Sequence, residues 1–186
     1  MNSILQDEMK SVALSMFRKN FFGIFHGSIS ARVEKNQFLI NKKNAIFDNL
    51  ENSDFIKLYS KKDYRWNEAS LDADIHLNIY KNISEAKYIA YVMPPFATSY
   101  ALNHENIKPL DYFGYKIIKE ISVYNPKQFD DWYERAEIEI HNYMKKNSTN
   151  IMIIKGYGIY MYDRDLQQIA KMIAIIENSC KILHYM

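Results

Sequence analysis

The chain has a single cysteine, Cys180, among 186 residues, so no intrachain disulfide and no cysteine-based zinc cluster can form. Glycine is nearly as scarce. Five glycines, with no G-x-G-x-x-G run and no Walker pattern, leave little from which to build a phosphate-cradling loop of the usual kind. Apolar runs never approach the ~18 residues a membrane span needs, which excludes a bilayer-crossing helix. The opening "MNSILQDEMKSVALSMFRKN" is broken by acids and is not a secretory signal. An excess of charge is missing too. The 24 basic residues against 22 acidic ones leave a net +2, dispersed along the chain, so a nucleic-acid footprint is not expected. A cytoplasmic protein without membrane or nucleic-acid partners is the expectation.

What is present is a globular composition, 48% hydrophobic and 25% charged, of a length that suits one domain over residues 1–186. Tyrosine is abundant, with 15 copies. Periodicity predicts a first helix from Ser3 to about Arg18 or Lys19, with Ser3 and Gln6 at capping-box spacing. A hairpin follows, Ser28 to Val33 and Gln37 to Ile40 around an "EKN" turn, and then a strand in "DFIKLYS". Leu71, Ile75 and Ile79 at i, i+4 and i+8 predict an amphipathic helix. "AKYIAYVM" reads as a buried strand and "PPFATSYAL" as a helix opening on proline. "YKIIKEISVY" alternates like a strand. "FDDWYERAEIEIHNYMKKN" is a helix with acids early and lysines late, as its dipole favours. Two strands meet at a bend around Gly156 and Gly158, and a final helix closes the chain. Helices interleaved with hairpins predict an α/β domain with a mixed or mostly antiparallel sheet between helical layers.

Five phrases, in order, resemble the class II aldolase/adducin family. "HGSISARV" (26–33) is similar to G-N-x-S-x-R, and "FLINKKN" (38–44) stands where F-x-I-T-P-S-G is usual. "ASLDADIHLNIY" (69–80) parallels P-S-S-E-x-x-x-H-x-x-I-Y. "YVMPPFA" (91–97) stands for H-x-H-P-P-x-A, and "KGYGIYMY" (155–162) for R-N-H-G. The resemblance spans nearly the whole chain, closing helix and Glu177 included. It implies the class II aldolase fold, three layers around a central sheet, and homo-oligomers, often tetramers. A further protein partner or a small sugar-phosphate ligand is open to it.

The resemblance also implies a zinc ion held by three histidines, two from one face of a strand end and one from the N-H-G phrase, with a glutamate moving the proton. This chain has Tyr91, Met93 and Tyr157 at the three ligand positions. Phenols and a thioether are poor zinc donors, so no zinc and no other cofactor is expected here. Nor do the five histidines show H-x-H or H-E-x-x-H spacing, and packing roles are the plainer reading of each. Asp72 stands at the acid/base position, one methylene short; the plainer reading is an exposed or first-turn helix acid. Gly27, Ser28, Ser30 and Ser70 resemble the family's phosphate-loop positions. Lys43, in the phrase that replaces P-S-G, either binds a phosphate as a point charge or is solvated surface. The replaced ligands are bulky and apolar enough to fill the old pocket. A catalytically lapsed, binding or scaffolding protein follows, against the alternatives of a metal-independent sugar-phosphate lyase or isomerase using Asp72, or a sugar-phosphate sensor.

Overall fold

A computed structural model describes residues 2–24 and 26–186, with the backbone alone at Asn2. Six α-helices and eight strands occur among the described residues: α1 (Asn2–Phe17), β1 (Ser28–Glu34), β2 (Gln37–Asn41), β3 (Phe55–Tyr59), α2 (Ala73–Asn82), β4 (Tyr88–Val92), α3 (Pro95–Asn103), β5 (Asn106–Ile107), α4 (Tyr112–Ile117), β6 (Ile121–Tyr124), α5 (Trp132–Lys146), β7 (Ile151–Ile154), β8 (Gly158–Asp163) and α6 (Leu166–His184). The strands form one sheet in the order β3-β2-β1-β4-β8-β7-β6-β5. Every pairing is antiparallel except β6 with β7.

Side chains alternate across a strand, and this sheet is buried on both faces, so each central strand feeds two cores. Tyr88, Ala90 and Val92 of β4 join one core, packed under α1, α3 and α6; Ile89 and Tyr91 join the other, under α2 and α5. The same division runs through β7, with Ile151 and Ile153 on one side and Met152 and Ile154 on the other. On β8, Met161 belongs to the first core and Tyr160 to the second. The site described below is built on the face under α2 and α5.

Three local expectations change. "YKIIKEISVY" splits, with Tyr115–Ile117 ending α4 and the strand confined to Ile121–Tyr124. Asp111 caps α4 by accepting the Gly114 N–H at 2.9 Å, and Lys119 turns the chain with φ of 61°. Ser3 lies inside α1 rather than capping it, and Gln6 donates instead to the Asn52 carbonyl at 3.0 Å. Leu71 is not part of the buried helical face: α2 begins at Ala73, and Leu71 is 72% exposed in the turn before it. The bend between β7 and β8 does form on Gly156 and Gly158, whose φ values of 70° and 138° favour glycine. A Cβ at Gly158 would also stand 2.5 Å from the Val92 carbonyl oxygen, so glycine is what lets β8 lie against the end of β4.

Candidate functional site

Register assembles the site. Ser28 of β1 pairs with Tyr91 of β4, and Tyr91 pairs with Tyr160 of β8, so three side chains stand in a row on one face of the sheet. Above that row lie the start of α2, carrying Asp72 and His76, and the start of α5, carrying Trp132 and Tyr133. The segment before α2 is tied to the loop after β2: the Ser70 N–H donates to the Asn41 carbonyl and the Lys43 N–H to the Glu68 carbonyl. The Ser70 hydroxyl oxygen accepts the Asp72 N–H at 3.3 Å, which sets the turn into the helix. These ties bring Lys43, Ser70 and Asp72 to one cleft of about 210 Å³, shared with His26, Gly27, Tyr91, Tyr133 and Tyr157 among others.

Asp72 is the main correction. It is not an exposed first-turn acid but 6% exposed at the floor of this cleft. One carboxylate oxygen, Oδ1, accepts from the Tyr160 hydroxyl at 2.9 Å and from the Tyr133 hydroxyl at 3.0 Å. Burial pushes its pKa above the ordinary value, against the hydrogen bonds from Ser28, Tyr160 and Tyr133 that favour the anion. Among the described residues no lysine or arginine forms an ion pair with it. The state of the carboxyl is therefore set by phenols, a hydroxyl and desolvation rather than by a cation.

Ser28 and Ser30, expected to face a ligand, are both fully buried and bond His76 instead. The Ser28 hydroxyl lies 2.9 Å from Nε2 and the Ser30 hydroxyl 2.6 Å from Nδ1. Burial lowers the His76 pKa to about 3, so the ring is neutral. Gly27, Ser70 and Lys43 do line the cleft, Lys43 from an exposed position.

The positions that resemble zinc ligands hold a packed aromatic stack. The Tyr91 ring packs against Tyr157, 5.0 Å away, and Tyr160, 4.7 Å away, both nearly parallel to it, and those two rings are 6.3 Å from each other. Trp132 meets Tyr157 edge-on at 5.8 Å. The Tyr91 hydroxyl donates to the Tyr157 carbonyl at 2.8 Å. Burial raises the pKa of both phenols, holding them protonated. Met93 is half-buried, and its N–H donates to the Phe21 carbonyl at 2.9 Å. Two protonated phenols, one already donating to a carbonyl, and a thioether do not fit a zinc ion. Among the described residues no group of three or more His, Cys, Asp or Glu side chains converges as metal ligands do.

The sequence model of the class II aldolase and adducin N-terminal domain matches residues 7–184. The chain belongs to that family. Class II aldolases also share its fold. L-fuculose-1-phosphate aldolase from Thermus thermophilus superposes with a TM-score of 0.85 at 20% identity, over 97% of this chain and 93% of that one. YgbL from Escherichia coli gives 0.78 at 15% identity, over 99% and 90% of the two chains. A sugar-phosphate aldolase from Thermotoga maritima gives 0.72 at 14% identity, over 96% and 92%. A comparison with curated proteins returned no match. At such identities the likeness carries the class II aldolase fold.

Sequence reasoning missed Tyr133 and Tyr160 as partners of Asp72, and His76 as a link from it to the sheet. One signal was available for His76. It follows Asp72 by one helical turn, and Ser28 and Ser30 are two apart on a strand, so each pair shares a face.

Proposed function

We propose that this class II aldolase-family chain binds a small hydroxylated anion, of the sugar-phosphate class that the names of its structural neighbours carry, without zinc and without zinc-dependent carbon–carbon chemistry. The carrying observation is that the cleft stays open over Asp72 while the three ligand-like positions are taken by Tyr91, Met93 and Tyr157. A pure scaffold has no need of a polar cleft with a buried carboxyl. Lys43 at the rim supplies a charge for the anion, Ser70 a hydroxyl, and Asp72 with Tyr133 a hydrogen-bonding floor. The volume of about 210 Å³ is below that of typical drug-sized sites, which suits a ligand of a few carbons.

The test is a thermal-shift series with L-fuculose 1-phosphate, glycerol 3-phosphate and inorganic phosphate, alongside metal analysis of the purified protein. At a hundredfold excess over Kd a ligand adds ~2.7 kcal/mol, or roughly 5–10 °C for a domain of this size. A shift with an organic phosphate, reduced by Lys43→Ala, with no stoichiometric zinc, is the expected result. Silence towards all three probes, or one zinc per chain, would sink the proposal.

A second reading has its own observation. Asp72 is a buried carboxyl with a raised pKa beside two phenol donors, the setting in which general acids and bases are tuned. Chelator-insensitive turnover of a ketose phosphate, lost in Asp72→Asn, would favour a lyase or isomerase over a binding protein. We also propose a cytoplasmic location, supported by the single buried thiol, and a homo-oligomer, supported by exposed Leu110, Tyr112, Phe113, Tyr115 and Ile117 on and beside α4. Among the described residues no helix is long and apolar enough to cross a membrane.

A further inference from the structure

His76 does more than fill the space between α2 and β1. It is the centre of a buried chain of hydrogen bonds that begins at the Lys87 carbonyl, 3.4 Å from the Tyr80 hydroxyl. The chain passes from Tyr80 to the Ser30 hydroxyl at 2.8 Å, then to His76 Nδ1. From Nε2 it reaches the Ser28 hydroxyl, which bonds the Asp72 side chain. Ser28, Ser30 and His76 are fully buried and Tyr80 nearly so, so no proton in this chain can be left for water to satisfy.

Oδ1 already accepts from two phenols, so a carboxyl proton belongs on the other oxygen, and counting protons then leaves two arrangements. With Asp72 ionised, every donor points towards it: Tyr80 O–H to Ser30, Ser30 O–H to Nδ1, Nε2–H to Ser28, and Ser28 O–H to the carboxylate. With Asp72 protonated, every donor points away: the carboxyl O–H to Ser28, Ser28 O–H to Nε2, Nδ1–H to Ser30, Ser30 O–H to Tyr80, and Tyr80 O–H to the Lys87 carbonyl. The second arrangement holds one more proton than the first, the one on Asp72. Each is fully paired, and any mixture leaves two protons facing each other or two lone pairs.

We infer that His76 is the positioning residue of Asp72: its ring proton sits on Nε2 when Asp72 is ionised and on Nδ1 when Asp72 is protonated, so that the whole chain reverses with the carboxyl. The other groups facing Asp72 do not compete for this role. Tyr133 from α5 and Tyr160 from β8 donate to Oδ1, and Tyr91 and Tyr157 act on it only through their charge when ionised, a state that burial opposes. This deepens the cleft-binding proposal and rests on it in one respect, that Asp72 meets the ligand. A ligand hydroxyl that donates to Asp72 then selects the Nε2–H ring. A ligand oxygen that can only accept selects the Nδ1–H ring.

The experiment needs no ligand, so a failed ligand screen and a failure here are separate results. Nitrogen NMR of the imidazole rings, with His76 assigned through His76→Gln, reads the tautomer from pH 4.5 to 9, and the Asp72 carboxyl carbon is read in the same samples. At every pH the two should agree: Nδ1–H with a protonated carboxyl, Nε2–H with a carboxylate. In Asp72→Asn the side-chain amide must donate to Ser28, so the ring should be Nδ1–H at all pH values. Ser28→Ala cuts the chain, and the tautomer should then ignore the carboxyl. A ring that keeps one tautomer while Asp72 titrates, or an Nε2–H ring in Asp72→Asn, overturns the inference. The wild-type titration together with Asp72→Asn decides it even if Ser28→Ala does not fold.

Discussion

Replacing Asp72 by asparagine is expected to stabilise the protein at neutral and alkaline pH. Burying the carboxylate costs several kcal/mol, and the donors from Tyr133, Tyr160 and Ser28 each return roughly 1.5–3 kcal/mol to the anion. The two terms are of similar size, and the balance falls on the side of burial, since the folded-state pKa lies above the ordinary 3.8. The sign follows from proton counts. Between 3.8 and the raised folded value the native state holds the proton and the unfolded chain has lost it, so stability falls as pH rises through that window and levels off above it. Each unit of elevation is worth ~1.4 kcal/mol. Asparagine keeps the shape, accepts from the phenols and carries no charge, so it should gain on the order of 1–3 kcal/mol at pH 8. Urea unfolding of both proteins at pH 4.5 and pH 8 measures this. The advantage of Asp72→Asn should shrink at the lower pH; a wild type as stable as the variant at pH 8, or a gap that ignores pH, refutes the reasoning.

Other perturbations separate the cleft from its frame. Lys43→Ala should change unfolding free energy by no more than about 0.5 kcal/mol, as expected for an exposed side chain, while weakening any phosphate ligand found by thermal shift. Glu177 accepts the Phe96 and Ala97 N–H groups at 3.0 and 2.8 Å and so caps α3 just after Pro94-Pro95; Glu177→Ala should cost about 1–3 kcal/mol in urea unfolding. Trp132→Ala empties the largest fully buried side chain of the second core and should cost about 3–5 kcal/mol by the same measurement. If α4 carries a subunit contact, Phe113→Lys with Tyr115→Lys should lower the sedimentation mass of the assembly without changing the helical content of the chain.

Most of the fold was legible because most elements obey a single period. β4, β7 and β8 are continuous apolar runs, as strands buried on both faces must be, and α5 carries its acids early and its lysines late. The segment 115–124 failed because the period is ambiguous where it is short. Tyr115 and Ile117 suit a strand's alternation with Ile121 and Val123, yet the Asp111 cap and the turn at Lys119 give the chain a helical start that alternation alone cannot reveal. Leu71 failed for a related reason. Its i, i+4, i+8 spacing with Ile75 and Ile79 is real, but the helix begins two residues later, so the first member of the series never reaches the buried face.

The site was legible in its positions and not in its environment. Tyr91, Met93, Tyr157 and Asp72 could be placed by their local phrases, because each phrase is contiguous. What surrounds Asp72 is not contiguous: Tyr133 is 61 residues away along the chain and Tyr160 is 88. An acid one position before a helix is usually exposed, and nothing local marked this one as covered by α5 and the sheet. The covering has a chemical logic. A cation beside Asp72 would hold it ionised, whereas phenols stabilise the anion by hydrogen bonds alone and leave burial free to raise its pKa. The aromatic stack of Tyr91, Tyr157 and Tyr160 therefore does two things at once. It fills the ligand-like positions with side chains unsuited to zinc, and through the Tyr160 hydroxyl it stabilises the Asp72 anion against the burial that raises its pKa. Tyr160→Phe separates the two effects, because it keeps the stack and removes the donor. Wild-type packing with an Asp72 pKa higher still, read from its carboxyl carbon, is the expected result; an unchanged titration would show that the stack, and not its hydroxyl, sets the state of the carboxyl.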